Sequence, residues 1–262
     1  MNRTGLIAAL VVAAVVGLVF GLYPDLDVRV TRLLYNPEIS TYATRQALIP
    51  VRQTAMWLVA ALVAPAALAL VFKLIMPGRR MFLPGRTVLF LTTTLALGPG
   101  LVVNVIAKDY WGRPRPIEVQ QMGGTESFVA WWDPRGTCHS NCSFVSGDVS
   151  GAFWTLAPAA LAPAPWRPLA YAAAIALGSG MGAIRMLFGG HFFTDVVFAG
   201  VITFLIIWLL FNLLYRWQPT RLSDAAIERA IERLVRPRLR LAWPSRAAPP
   251  HPGNPGRQPA ND

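Results

Sequence analysis

Residues 185–214 read RMLFGGHFFTDVVFAGVITFLIIWLLFNLL. After Asp195 this stretch holds no charged side chain, and residues 193–214 supply the roughly 20 apolar residues that cross a bilayer core. Arg185, His191 and Asp195 crowd the start of that run. A charged cluster at the rim of an apolar helix is costly to place, so it points to a site kept for its chemistry.

Working outward, five more apolar segments fall at about 5–22, 54–76, 87–107, 149–163 and 169–184. The expected fold is therefore all-α, a polytopic membrane helix bundle with about six transmembrane helices and both termini cytoplasmic. The segments at 149–163 and 169–184 are short and rich in Ala and Gly, which suits close helix packing inside a bundle. The first segment has the length of an uncleaved span, and Gly21-Leu22-Tyr23-Pro24-Asp25 offers no small-x-small cleavage pattern of a signal peptide.

The 262 residues are 54% hydrophobic and 14% charged, which excludes an ordinary soluble domain. A net charge of +11 would suggest nucleic acid in a soluble chain. Here the basic residues flank apolar runs: Arg3, then Lys73, Arg79, Arg80 and Arg86, then Arg167, then the C-terminal arginines all fall on one side by parity. The excess of positive charge makes that side the cytoplasm, and no nucleic-acid partner is expected.

Three domains are expected: a membrane-embedded unit over 1–216, an amphipathic basic juxtamembrane helix over 217–240, and a disordered Pro-rich tail over 241–262. Ile227, Ala230, Ile231, Leu234 and Val235 recur at helical spacing, as on a helix lying against the inner leaflet. Residues 23–53 mix Arg29, Arg32, Arg45 and Arg52 with Asp25, Asp27 and Glu38 and read as an interfacial segment beside the site.

Parity places three polar clusters on the outer face. Lys108 and Arg115 stand seven apart, with Pro114 and Pro116 holding Arg115 on a rigid turn. Ser146-Gly147-Asp148 opens the fourth span, where a free hydroxyl, a small residue and the backbone N–H groups of a helix start suit a phosphate oxygen. His191 and Asp195 are four apart, one turn of helix, so the carboxylate can fix the imidazole tautomer and leave the other ring nitrogen free to attack phosphorus. Taken singly, each cluster also reads as snorkelling, helix capping or an interfacial histidine. Arg113 supplies a further cation or meets lipid headgroups. Cys138 and Cys142 flank a three-residue turn in an oxidising compartment and are expected to form a disulfide.

In this order and spacing the clusters resemble the signature of the type 2 phosphatidic acid phosphatase superfamily: Lys-x6-Arg-Pro, then Pro-Ser-Gly-His, then Ser-Arg-x5-His-x3-Asp. The resemblance implies that Lys108, Arg115, Arg185, Ser146 and Gly147 bind phosphate, that His191 is the nucleophile, that Asp195 orients it, and that neither metal nor cofactor takes part. Val145 and Ile184 depart from the pattern. So does Asp148, which stands where the family carries the histidine that protonates the leaving group; His139 is a second candidate for that proton. Cys142–Asp148 and Gly189–Val196 are similar to the bacterial lipid A 1-phosphatase branch.

The implied activity is hydrolysis of a membrane lipid's phosphomonoester or diphosphate headgroup through phosphohistidine, with lipid A 1-phosphate at the periplasmic face of the inner membrane as substrate. An undecaprenyl diphosphate phosphatase, a phosphotransferase and a catalytically silent scaffold are the alternatives.

Overall fold

The computed structural model describes residues 2–35, 42–220 and 222–242. Glu38 and the tail from 243 onward, where disorder is expected, lie outside the described residues. Among the described residues the chain is helical and forms no strand. Five helices are long and apolar enough to cross a membrane: Arg3–Leu22, Thr44–Ile75, Gly85–Ala107, Arg167–Leu187 and Phe193–Arg216.

Helix α1 (Arg3–Leu22) starts where the Asn2 side chain accepts from the Gly5 N–H. A short amphipathic α2 (Asp25–Leu34) follows. Helix α3 (Tyr42–Ile75) runs for 34 residues through Pro50 and Pro65. Helix α4 (Gly85–Leu95) widens into π turns over Ala96–Ala107, where Pro99 cannot donate to the ladder. One turn, α5 (Lys108–Tyr110), ends that pass. The return is made by α6 (Gly147–Phe153) and α7 (Leu156–Leu161). Then come α8 (Arg167–Leu187), α9 (Phe193–Phe211) with its π extension Asn212–Arg216, and α10 (Asp224–Ala242).

The sequence predicts one span at 149–163; the structure divides it in two. Pro158 lacks an N–H and its ring crowds the carbonyl four residues back, at Trp154, so the α-helix stops there and restarts. Buried Trp154 anchors the break by donating from Nε1 to Thr94 Oγ1 at 2.9 Å. Small residues draw the centre together. A Cβ at Gly178 would sit 2.5 Å from the Phe153 ring, and one at Gly200 would sit 2.9 Å from it, so this ring lies wedged between α8 and α9.

One further expectation is corrected. Residues 42–53 are not an interfacial segment but the first turns of α3, which carry Arg52 into the bundle's mouth. The apolar stripe of α10 is covered by protein in part, while Ala230 and Leu234 stay exposed. Ile227 is buried, and Ile231 packs on the cluster of Ala69, Met81 and Val88. Buried Lys73 straps the helix down through Glu232 at 2.7 Å and Glu228 at 3.3 Å, while Asp224 accepts from the Arg86 N–H at 2.8 Å.

Candidate active site

The chain order turns three distant clusters into neighbours at one end of the bundle. Lys108 ends the pass through α4, Asp148 begins α6, Arg185 ends α8, and His191 precedes α9. Arg52, which the sequence places in an interfacial segment beside the site, joins them from α3.

Asp148 lies between two guanidinium groups. Arg52 donates from Nε at 2.8 Å and from a terminal nitrogen at 3.2 Å, and Arg185 Nε stands 3.3 Å away. Burial favours the neutral acid, but the Arg52 hydrogen bond and the charge of Arg185 outweigh it and hold the Asp148 carboxyl below its ordinary value. In the unliganded protein Asp148 is thus a carboxylate and not the proton donor that its position in the motif suggests. Burial pulls the Lys108 ammonium below its ordinary range, with Asp148 opposing and Arg115 and Arg185 adding to the effect.

His191 is buried, and its Nδ1 lies 2.7 Å from the carbonyl oxygen of Ser143. A carbonyl only accepts, so Nδ1 carries the proton and Nε2 keeps its lone pair. Burial, then the charge of Arg185, push the imidazole well below its ordinary pKa against the pull of the Ser143 carbonyl; Arg115 and Lys108 act in the same direction as Arg185. The ring is neutral at physiological pH.

The expected partner of that ring, Asp195, stands 3.9 Å from Nδ1, beyond a direct hydrogen bond. It acts on the same residue that holds the ring. Ser143 Oγ donates to Asp195 Oδ2 at 2.5 Å, and the Phe192 N–H donates to the same oxygen at 2.8 Å. The other oxygen accepts from Arg113 at 2.6 Å. Asp195 therefore fixes Ser143, and Ser143 fixes His191.

Arg113 is not a cation turned toward lipid headgroups. It is fully buried, pairs with Asp27 at 2.7 Å as well as Asp195, donates to Val129 O and Thr194 Oγ1 at 2.9 Å each, and lies over the Phe192 ring at 4.2 Å. Burial opposes its charge, but Asp195 and Asp27 raise its pKa overall. Asp27 in turn accepts from the backbone and hydroxyl of Thr194, which ties α2 to the start of α9. Three charged side chains buried together hold one another by near-complete hydrogen bonding.

Cys138 and Cys142 are bonded, with Cα atoms 5.7 Å apart. The loop they close presents Asn141 at φ 51°, a left-handed conformation that asparagine tolerates. Its carbonyl accepts from Arg115 at 2.7 and 3.1 Å, and its Oδ1 accepts from Lys108 at 3.3 Å. One short loop positions two of the cations. Ser146 is buried with its hydroxyl free of any hydrogen-bond partner. Gly147 is glycine for a packing reason: a Cβ there would meet Asn104 Oδ1 at 2.4 Å. Among the described residues no three His, Cys, Asp or Glu side chains gather as a metal ion would require.

Arg52, Arg113, Asp27 and Ser143 escape the motif reading because they lie outside its fixed spacings. The one sequence signal for Arg52 is its separation of seven from Arg45 with Leu48 and Val51 between, a helical period extending upstream of the apolar run.

Comparison with known proteins gives this end of the bundle a lineage. The chain is 43% identical over 132 residues to the lipid A 4'-phosphatase of Francisella tularensis subsp. novicida, covering 50% of this chain and 60% of that protein. It is 41% identical over 104 residues to the lipid A 4'-phosphatase of Rhizobium leguminosarum, covering 40% and 45% of the two chains. A lipid A 4'-phosphatase of Rhizobium etli is 40% identical over 102 residues, 39% of this chain and 40% of that one. The chain spans about half the length of the curated relatives it matches. No solved structure matches it significantly. The PAP2 superfamily pattern covers residues 87–219, half of the sequence and every motif residue from Lys108 to Asp195, and so the chain belongs to the PAP2 superfamily.

Proposed function

We propose that the protein hydrolyses the phosphomonoester of a lipid A type glycolipid at the periplasmic face of the bacterial inner membrane, through a phosphohistidine on His191. The observation that carries this reading is the buried neutral imidazole, held through Nδ1 by the Ser143 carbonyl and surrounded by the charges of Arg185, Arg115 and Lys108. A dianionic phosphate drawn to those cations meets an uncharged nucleophile, which is what in-line attack on phosphorus needs.

In the first step the Nε2 lone pair forms a bond to phosphorus and the bond from phosphorus to the sugar oxygen breaks. Lys108, Arg115, Arg185 and the Ser146 hydroxyl bind the transferring oxygens. The leaving alkoxide needs a proton, and Asp148 supplies it once substrate is bound: a phosphate that takes over Arg52 and Arg185 removes what held the carboxyl down and adds a like charge beside it, both of which raise its pKa. In the second step water attacks phosphorus, the P–N bond breaks, Asp148 takes the water's proton, and inorganic phosphate leaves. The chemistry uses fixed protein cations and is expected to proceed with chelator present.

The relatives are named for the 4' position, whereas the sequence reading favours the 1 position. That difference matters chemically. An anomeric oxygen leaves readily, but a 4' oxygen is an ordinary alkoxide that depends on Asp148. Purified protein presented with lipid A labelled separately at each phosphate, with undecaprenyl diphosphate as a third substrate, decides between them. Release of 4' phosphate that His191→Ala abolishes is the expected result; unchanged turnover in that variant overturns the reading.

A further inference from the structure

A groove of about 1140 Å³ runs along the side of the bundle, from Met186 and Phe193 beside the His191 site to Asn2 and Arg167 at the opposite end. That volume exceeds the usual ~300–1,000 Å³ of a small-molecule pocket. Helices α1 and α8 each pack against α9 but scarcely touch one another, which leaves α9 as a floor between two walls. Gly200 and Phe204 lie on the floor, Val12 on one wall and Ile175 on the other. Val12 and Ile175 stay 44% and 52% exposed, so the bundle does not fill the space.

The two ends differ. Near the active-site end the groove is closed by apolar side chains of α2, Leu33 and Leu34 among them. At the far end its lining turns polar with Asn2, Arg167, Tyr171 and Arg216. These residues share one end of the molecule because α1 and α8 both run antiparallel to α9. Trp208 near the end of α9 donates to the Asn2 carbonyl, and Val196 near its start packs on Gly182 late in α8. The Tyr171 hydroxyl is buried and lacks a hydrogen-bond partner. Arg167 uses Nε and one terminal nitrogen on the Ala162 carbonyl, at 3.1 and 3.0 Å.

We infer that this groove is a binding site for an anionic phospholipid of the leaflet opposite the active site, its acyl chain along α9 and its phosphate between Arg167, Arg216 and the Tyr171 hydroxyl. From Tyr171 to Met186 the α8 wall measures about 22 Å at 1.5 Å per residue, so the chain reaches past the midplane of a ~30 Å core toward α2. Basic pockets between transmembrane helices on the cytoplasmic side select anionic headgroups, and two arginines with a free phenol match a phosphodiester in charge and in donors. A zwitterionic lipid fills the same apolar space without that headgroup preference.

The test uses the full chain reconstituted in vesicles of phosphatidylcholine that contain a trace of either phosphatidylglycerol or phosphatidylcholine bearing a photoreactive acyl chain. Crosslinked peptides are mapped after illumination. Labelling of α1 and α8 at groove residues is expected with phosphatidylglycerol over phosphatidylcholine, falling about fivefold with each of Arg167→Gln and Arg216→Gln. Val12→Trp, which fills the groove and leaves both arginines, is expected to abolish it. None of these residues belongs to the His191 site, so phosphate release by the variants reports that they are folded, while the crosslink reports the lipid independently of any activity. Equal labelling by the two lipids, or labelling that the charge variants leave unchanged, overturns the inference.

Discussion

At the residue scale the proposed mechanism rests on His191 and Asp148, whose surroundings lower the pKa of both. His191 is depressed by burial and by the charge of Arg185, so it takes up a proton only at lower pH than an ordinary imidazole. Activity is therefore expected to hold as pH falls through about 6.5, the ordinary histidine value, and to fail further down. The pH profile of kcat/KM checks this, and an acid limb centred at or above 6.5 counts against a buried neutral nucleophile. Lys108 is depressed by burial, so its charge is lost below the ordinary value of about 10.4 and the alkaline limb moves down with it. For Asp148 the expected signature is dependence on the leaving group. Asp148→Asn should slow hydrolysis of a sugar phosphate by roughly 10²–10⁴ while sparing an aryl phosphate whose phenolate leaves unaided. Equal losses on both substrates would remove the acid role. Arg52→Ala leaves Asp148 half-paired and should reduce kcat/KM on both. The motif spacings made Lys108, Arg115, Arg185, His191 and Asp195 legible as candidates, because fixed separations survive translation into any fold. Arg52 and Ser143 were not legible in that way. Their roles come from contacts across 96 and 52 positions of chain, to Asp148 and Asp195, and no local pattern encodes such a contact.

At the scale of elements, buried ion pairs decide how helices are joined. The Asp27, Arg113 and Asp195 network connects α2, the loop before α6 and α9, and it sits directly behind the histidine. Removing one partner leaves a charge buried without compensation, a loss of about 3–5 kcal/mol. Asp27→Ala is expected to lower the midpoint of thermal unfolding in detergent and, by loosening Thr194 and Asp195, to lower kcat more than it raises KM. An unchanged midpoint would mean that water reaches Arg113 in solution. At the opposite end Lys73 holds α10 through Glu228 and Glu232. Lys73→Met should free α10 to trypsin cleavage near Arg229 and Arg233 while phosphate release persists; protection equal to wild type would show that Ile227 and Ile231 suffice. Apolar periodicity marked α10 as amphipathic, yet it could not say whether protein or lipid covers the stripe, since both are apolar. Likewise the run 149–163 has the composition of a span, but only the position of Pro158 hints at the break. The early start of α3 was hidden for a different reason. Arg45, Gln46, Arg52 and Gln53 lower its hydropathy, although a helix can extend beyond the apolar core when its polar turns are used by the site.

At the scale of the whole molecule, the passes of the chain alternate so that every motif residue falls at one end and the basic loops at Lys73 to Arg86 and at Arg167 fall at the other. Charge excess near span ends sets orientation during insertion, and the end richer in Lys and Arg stays in the cytoplasm. The active-site end is itself cationic, with Arg52, Lys108, Arg115 and Arg185, so a plain count of charges on each side understates the asymmetry. The functional cations are balanced locally by Asp148 and oriented by Asn141, and the Cys138–Cys142 bond beside them is a feature of an oxidising compartment. The proposed orientation puts the site outward and α10 inward. Single cysteines test it directly. Gly78, in the turn between α3 and α4, has open space where a side chain would begin, and the Arg135 side chain is 80% exposed in the loop at the other end. With a membrane-impermeant maleimide on intact spheroplasts, Arg135→Cys is expected to be labelled at once and Gly78→Cys only after lysis. The opposite pattern would put the imidazole on the cytoplasmic side, where a lipid phosphate displayed in the outer leaflet could not reach it.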